Sequence, residues 1–501
     1  GPALDASNQA IAGQMEQVSS IERYRRTLLF EQLGYTPAQI RALGGGATQF
    51  SIAAGNPEAS VGQFDMGLFA GDTWRMRQNL TISYGVRYET QTNIHDLRDI
   101  APRFSFAWSP KTKSHKRMVL RAGFGTFYDR FALANTLTAD RFNGAVQQQY
   151  VVTNPDTFPL IPSISSLSAN RAGQSVEEID SHVRAPYIMQ SAVTFEKQLT
   201  ANTVSAVTFT TSHGVHLLRS RDITAPDPNP LFLIESTGIY NQNQLIANVN
   251  TKLANSVSLF GFYVLNKAMS DTDGVGTSPA NPYNYSGEYG PAATDIRHRG
   301  TIGGSINLQW NIRLSPFVIL QSGAPFNITT GNDVYGTTVF NARPGIATDP
   351  TRAGLIQTSY GLLDPNPTAG EQILSRNYGR GPNQYTVNLR FAKNIGFGPE
   401  KEGAVKSGAS TPSIGDSQNA AVTGRGLRGF MSPPSGSRRY NLSLGLSVRN
   451  LLNHDDPGPI NGDITSPLFG RANQIAGGPN GEGFSENASN RRLEMQVRLT
   501  F

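Results

Sequence analysis

Long stretches of strict two-residue alternation constrain this chain more than any other feature. Leu80, Ile82, Tyr84, Val86 and Tyr88 alternate with Thr81, Ser83, Gly85, Arg87 and Glu89. The same period recurs in Ile302, Gly304, Ile306, Leu308 and Trp310, in Tyr385, Val387, Leu389 and Phe391, and in Tyr440, Leu442, Leu444, Leu446 and Val448. It closes the chain with Leu493, Met495, Val497, Leu499 and Phe501. A period of two is the mark of a β-strand whose two faces meet different surroundings.

These segments are about 9 to 11 residues or longer, the length a tilted strand needs to cross a bilayer and more than a soluble sandwich usually uses. Thirteen are expected, near 63–75, 78–90, 101–109, 117–129, 187–199, 202–213, 241–253, 256–267, 296–310, 312–322, 383–395, 438–452 and 491–501. The longest apolar runs, such as Phe317 to Leu320, fall far short of the roughly 18 residues of a membrane-spanning helix. Lipid leaves one other architecture, the closed antiparallel β-barrel, because only there is every backbone donor and acceptor satisfied without water. Its alternating strands keep average hydropathy low, so a mean hydropathy of -0.33 is compatible with it. The fold expected is therefore all-β: a large antiparallel transmembrane barrel. Leu80, Ile82, Val86, Ile306, Leu308, Leu444, Leu446, Val497 and Leu499 are placed toward lipid.

Link lengths alternate. Short links such as 77–78, 200–201, 254–255 and 311 alternate with long ones at 130–186, 214–240, 268–295, 323–382 and 453–490, with exceptions at 91–100 and 396–437. Outer-membrane barrels have short periplasmic turns and long extracellular loops, which assigns the two sets to two sides. Trp74, Trp108 and Trp310 then fall on the periplasmic side and Tyr84, Tyr88 and Tyr128 toward the other, as two aromatic girdles.

Residues 1–62 read differently. Ser19 and Glu22 form a capping box ahead of Ile21, Tyr24 and Leu28 on one helical face, with Gly34 as a stop. Thr36 caps a second short helix that has Pro37 in its first turn. Residues 1–62 are expected to be an extracellular loop segment with short helices, and 63–501 the C-terminal barrel strands. An odd strand count, set against the even count of bacterial barrels, and an opening Gly1-Pro2 lead to the expectation that earlier strands precede this chain.

The 501 residues contain no Cys, which removes disulfides, thiolate metal sites and a cysteine nucleophile. The net charge of +6 includes no dense basic run of the kind that tracks nucleic acid, so no nucleic-acid partner is expected. The excess suits anionic lipopolysaccharide or an anionic solute. No G-x-S-x-G, H-E-x-x-H or Walker A lysine is present, so an enzyme is not expected. Gly424 to Gly429 matches G-x-G-x-x-G but stands in a polar link, where a flexible turn is the plainer reading. His213 and His216, three apart at a strand end, fall on opposite faces, and no metal site is assigned to them.

Two features of the 268–295 link invite a ligand. Asp271-Thr272-Asp273-Gly274 begins like a calcium loop, but Val275 and Pro282 stand where an EF-hand needs oxygen ligands, leaving open only a different calcium site. Tyr283, Tyr285 and Tyr289 beside Asn281, Asn284 and Glu288 combine stacking surfaces with hydrogen-bonding groups. Asp271, Asp273, Asn281, Tyr283, Asn284, Tyr285, Glu288 and Tyr289 are therefore the candidate ligand residues, against the plainer reading that they pack loops together.

The run Gly67-Leu68-Phe69-Ala70-Gly71-Asp72-Thr73-Trp74 followed by Asn79 to Glu89 resembles the paired strands of TonB-dependent outer-membrane receptors, most of all the Oar-like branch. Arg498-Leu499-Thr500-Phe501 resembles the C-terminal sorting signal of outer-membrane proteins, ending on Phe501. The resemblance covers Phe64 to Phe501. It implies the bacterial outer membrane, contact with its lipid and lipopolysaccharide, and insertion by the barrel-assembly machinery. It also implies a plug and a TonB box in a region before this chain, and uptake of an unknown scarce or bulky solute without a cofactor. A structural or adhesive Oar-like surface barrel is the alternative, and a passive porin is disfavoured by the implied strand number.

Overall fold

The computed structural model describes residues 1–16, 18–111, 116–169, 173–227, 229–254, 256–368, 370–400, 438–472 and 490–501. Thirteen long strands form one antiparallel meander: β1 Asp65–Arg77, β2 Leu80–Gln91, β3 Asp99–Trp108, β4 Met118–Tyr128, β5 Tyr187–Thr200, β6 Thr203–Asp222 and β7 Leu231–Ala254. They continue as β8 Val257–Ser270, β9 His298–Leu308, β10 Ile312–Gln321, β11 Gln384–Glu400, β12 Arg438–Arg449 and β13 Arg492–Thr500. Each pairs with its neighbour in chain order, from β1 with β2 to β12 with β13. Among the described residues no ladder joins β13 back to β1. No described helix is long and apolar enough to cross a membrane, a fact that has no bearing on strands.

The sheet is inverted relative to a soluble core. On β5 and β6, Thr194 and Thr208 are buried and share a 2.9 Å hydrogen bond, while their neighbours Val193, Phe195, Val207 and Phe209 are exposed. On β12, Asn441 and Ser443 are buried, and Leu444 and Leu446 are exposed. Because directly opposed residues share a face, this alternation defines a polar inner face and an apolar outer face, the arrangement a lipid-embedded barrel requires. Of the residues placed toward lipid, Val86, Leu308, Leu444, Leu446, Val497 and Leu499 are exposed, and Leu80, Ile82 and Ile306 are partly covered.

Two apolar clusters lie at the long-loop end. One gathers Ile94, Phe131, Val183 and Ala185 from the links there against Ile234 of β7, and the other gathers Ile328, Leu363, Leu374 and Ile464 from the long links. Gln49–Gly55 pairs with Gln147–Thr153, and Gly173–Ile179 runs parallel to the start of β7, so the N-terminal segment is tied to this same loop layer.

The structure corrects several expectations. β6 and β7 reach well past 213 and begin well before 241, leaving a link of only 223–230 where 214–240 was expected. Bulges on both sides of Leu217 carry the ladder onward through a stretch without alternation. His216 stands at the first of them with φ +59 and meets the Tyr187 ring edge-on. Trp310 is not a strand residue: with Asn311 it takes positive φ in the tight turn Gln309–Asn311. Trp74, Trp108 and Trp310 are all exposed at the short-turn end, whereas Tyr84 sits mid-strand opposite Asp72 and Phe104.

Helix α1, Ser20–Gln32, is capped by Ser19 accepting from the Glu22 N–H, and α2, Pro37–Ala42, by a capping box of Thr36 and Gln39. Gly34, at φ +76, turns the chain out of α1. The face of α1 that carries Ile21, Tyr24 and Leu28 points outward, Ile21 being 84% exposed. The buried face is that of Arg26, Thr27 and Phe30, because the Arg26 guanidinium donates to Glu22, Pro2 O and Leu43 O and so draws that face inward.

Candidate functional site

Residues 271–297, between β8 and β9, lie at the long-loop end and are fastened there by arginines from elsewhere. Asp271 accepts from the Ile239 N–H at 2.7 Å and from Arg219 Nη2 at 2.7 Å. Arg219 is 1% exposed, and its guanidinium lies 4.4 Å from the centre of the Tyr285 ring, a cation–π contact. Asp273 accepts from Arg376 Nη1 at 3.0 Å, Asn377 Nδ2 at 2.9 Å and the Ala293 N–H at 3.1 Å.

Glu288, 1% exposed, is the centre of the fastening. It accepts from the Ala280 N–H at 2.8 Å, from Arg376 Nη2 at 3.1 Å, and from Arg343. Asp295, fully buried, accepts from the Ala268 N–H, Arg297 and Arg380. Arg343, Arg376 and Arg380 all come from the 322–383 link, so two loops distant in sequence share one polar core.

Tyr285 Oη donates to Glu235 at 2.7 Å, and Glu235 also accepts from Arg221 Nη2 at 3.0 Å and Thr237 Oγ1 at 2.9 Å. Burial alone would raise the Glu235 carboxyl, but the hydrogen bonds from Tyr285, Arg221 and Thr237 outweigh it and hold the group below the usual carboxylate range. Burial, reinforced by the Glu235 carboxylate, pushes the Tyr285 phenol up, so it remains a donor.

The eight candidate residues thus divide by environment. Asp271, Asp273, Tyr285 and Glu288 hold the loops together. Asn281 and Asn284 close local turns by accepting from the Tyr283 and Ser286 N–H groups. Tyr283 donates to the Ala225 carbonyl yet is 63% exposed; Tyr289 accepts from Asn241 Nδ2 at 3.0 Å and is 41% exposed. With exposed Asn284 they leave an open aromatic and amide surface beside the fastening.

Both carboxylates of the calcium-like stretch face guanidinium groups, with which a divalent cation would have to compete. Among the described residues no group of three or more His, Asp or Glu side chains is arranged to hold a metal ion. His213 pairs with Asn241 at 2.7 Å, and His216 packs against Tyr187. Gly424 to Gly429 lies outside the described residues. Arg219, Arg221, Glu235, Arg343, Arg376 and Arg380 were missed from sequence; isolated charged residues outside an alternating pattern carry no periodic signal, and their partners stand up to 103 residues away.

An inverted antiparallel sheet with an apolar outer face, short turns at one end and folded loops at the other defines an outer-membrane β-barrel protein. The outer membrane beta barrel domain model matches residues 30–99 and 95–404, and the chain belongs to that family. Its place is the bacterial outer membrane. The outer membrane transporter YddB from Escherichia coli shares the fold with a TM-score of 0.51 at 11% identity, over 88% of this chain and 45% of that one. The FrpB iron transporter from Neisseria meningitidis aligns at a TM-score of 0.45 and 10% identity, over 87% and 45%. The chain therefore spans about half the length of these solved structures. No curated protein matches it in sequence.

Proposed function

We propose that the chain is the C-terminal barrel portion of a TonB-dependent outer-membrane receptor that takes up a scarce or bulky solute. The observation that carries this reading is the strand meander itself: thirteen membrane-length strands share the fold of an outer-membrane transporter while covering 45% of it. Porins use 16 to 18 strands around an open channel, whereas transporters of about 22 strands enclose a plugged lumen, and thirteen strands in about half a protein fit the larger class. On this reading the long-loop end, with residues 1–62, faces the medium. A plug and TonB box belong to the preceding region, Phe501 serves assembly by the barrel-assembly machinery, and the outer apolar face meets lipid and lipopolysaccharide.

Tyr283, Asn284 and Tyr289 form the solute-facing part of the mouth, positioned by Asp271, Asp273, Asn281, Tyr285 and Glu288. No cofactor is assigned. The extent of the Glu288 and Asp295 ion-pair core favours one second reading, an adhesive Oar-like barrel whose rigid loops present a fixed surface. The test is growth of the producing bacterium on limiting solutes, with and without the gene for the full-length protein and with TonB depleted. Uptake that needs both supports the receptor. Unchanged uptake with lost cell or matrix adhesion supports the second reading and overturns the first.

A further inference from the structure

The outer face of the sheet changes chemistry at one level. Through the middle of β5 to β9 it is apolar: Val193, Phe195, Phe209, Leu245, Leu265 and Ile302 are all exposed. Toward the long loops Thr211, His213, Asn243, Lys267 and His298 occupy the same face, because Thr211 opposes Asn243, Asn243 opposes Lys267 and His298 opposes Leu265. His213, Lys267 and His298 each stand ten residues along the strand from its short-turn end, at Thr203, Val257 and Leu308 respectively. A tilted strand crosses the hydrocarbon in about 9 to 11 residues, so this row lies at the far boundary of the bilayer, level with lipid headgroups.

Two members of the row keep polar atoms unused. Lys267 is exposed, and its Nζ meets no acceptor among the described residues. His298, exposed on the next strand, is its diagonal neighbour, at a separation of about 7 to 8 Å. Tyr263 sets the imidazole: Tyr263 Oη and His298 Nδ1 share a 2.6 Å hydrogen bond, and the two rings stack. With the phenol donating, the ring's own hydrogen stands on Nε2, which has no other partner among the described residues. On the outer face of β5, β8 and β9, and of β6 and β7 below the Leu217 bulges, no acidic side chain stands among the described residues to answer Lys267. Beneath His298 the wall is hollow at Gly300, where a Cβ would meet nothing nearer than Leu320 Cβ at 3.9 Å. Gly300 lies between exposed Tyr263 and Leu320, which leaves a shallow furrow open to lipid below the polar row.

An ammonium and an imidazole N–H within reach of each other can bond two oxygens of one phosphate, and such charge-assisted bonds are the strong ones. We propose that Lys267 and His298, with the Asn243 amide beside them, form a seat for a phosphate-bearing lipid headgroup of the outer leaflet. The occupant is a lipid and not a free anion, because exposed Leu245, Leu265 and Ile302 lie directly below the row. Whatever meets Lys267 from the bilayer side has an anionic head and an apolar body. The proposal rests on the part of the reading above that turns the long loops to the medium, and it is independent of transport.

The test is native mass spectrometry of the purified full-length protein in uncharged detergent, titrated with diphosphoryl lipid A, with the same lipid stripped of its phosphates, and with inorganic phosphate. Wild type is compared with K267Q/H298Q, with K267R and with K197Q, each first shown to keep a heat-resistant barrel. Lys197 is an exposed cation of the same outer face near the short turns, so K197Q removes equal charge from the wrong level. Wild type, K267R and K197Q should bind lipid A alike, and K267Q/H298Q should bind it about tenfold to a hundredfold more weakly. The dephosphorylated lipid should bind wild type as weakly as lipid A binds K267Q/H298Q. Equal lipid A binding by wild type and K267Q/H298Q, an equal loss in K197Q, no preference for the phosphorylated lipid, or inorganic phosphate bound as tightly as lipid A would each overturn the proposal. Orientation is read separately: Asn284→Cys should be labelled by an impermeant maleimide on intact cells. No labelling overturns the orientation and the proposal with it, whereas labelling without a lipid A preference overturns the proposal and leaves the orientation standing. TonB-dependent uptake is scored apart from both.

Discussion

Arg376 reaches Glu288 through two nitrogens, Nη2 at 3.1 Å and Nε at 3.3 Å, across 88 residues of chain. The same guanidinium uses Nη1 to hold Asp273. One arginine of the 322–383 link thus ties both ends of the 271–297 link, and Arg343 closes on Glu288 beside it. A buried ion pair is weak ground for net stability, but removing one member leaves the other charge stranded.

Glu288→Gln should therefore strand the Arg343 guanidinium and leave Arg376 with Asp273 alone, at a cost of about 3 kcal/mol, felt in the loop layer and not in the barrel. Limited proteolysis of the folded protein should cut 271–297 and 322–383 much faster, while the barrel keeps its heat-resistant mobility on gels. Equal cleavage of wild type and variant would show that the apolar cluster of Ile328, Leu363, Leu374 and Ile464 holds the loops unaided.

The two faces of β12 should differ in their tolerance of charge. Leu444 is exposed at mid-strand on the outer face, so Leu444→Arg should cost about 2 to 4 kcal/mol in refolding titrations into lipid vesicles. Ser443, one residue away, opposes Asn394 and Arg498 on the inner face, and Ser443→Arg should cost far less. Equal costs would place both residues in the same surroundings and sink the assignment of faces.

The barrel was legible in the sequence because each membrane strand imposes the same two-sided environment on about ten residues. Thr301 and Ile302 carry that imprint as plainly as Ser443 and Leu444 do. The upper halves of β6 and β7 were not legible, because above the membrane Arg219, Arg221 and Glu235 answer to one another and no two-phase environment selects an alternation. Which face of α1 is covered was not legible for a related reason. Ile21, Tyr24 and Leu28 have helical spacing and share a face, but spacing does not reveal that Arg26 finds four acceptors. Of the candidate site, the loop and its residue types were visible; the division into fastening and open surface depended on distant arginines and was not.

Glu177 supplies a pH dependence. It lies in Gly173–Ile179, in the loop layer, where burial pushes its carboxyl up to about 7. An unfolded glutamate titrates near 4.5. Between those values the folded segment holds a proton that the unfolded one has released, so its stability falls as pH rises through this window and levels off above about 7. Hydrogen exchange of amides 173–179, corrected for the intrinsic pH effect, should show protection decreasing from pH 5 to pH 8. Glu177→Gln should abolish the decrease. Flat protection in wild type would mean that the carboxyl reaches water in solution.

The open surface and the fastening can be separated by neighbouring tyrosines. Tyr283 and Tyr289 expose much of their rings, so Tyr283→Ala combined with Tyr289→Ala removes stacking area while leaving Glu288 between its arginines. Tyr285 instead gives its hydroxyl to Glu235 and its ring to Arg219, so Tyr285→Phe removes one hydrogen bond and retains the ring. The double alanine variant should lose solute uptake or surface adhesion by about tenfold, the scale of a disrupted aromatic contact at an interface, with unchanged proteolysis of 271–297. Tyr285→Phe should show the reverse: near-normal uptake, and a loop layer loosened by about 1 kcal/mol, read as faster cleavage. If both variants lose uptake together with protease resistance, the aromatic surface serves only to hold the loops, and Tyr283, Asn284 and Tyr289 drop out of the solute-binding mouth.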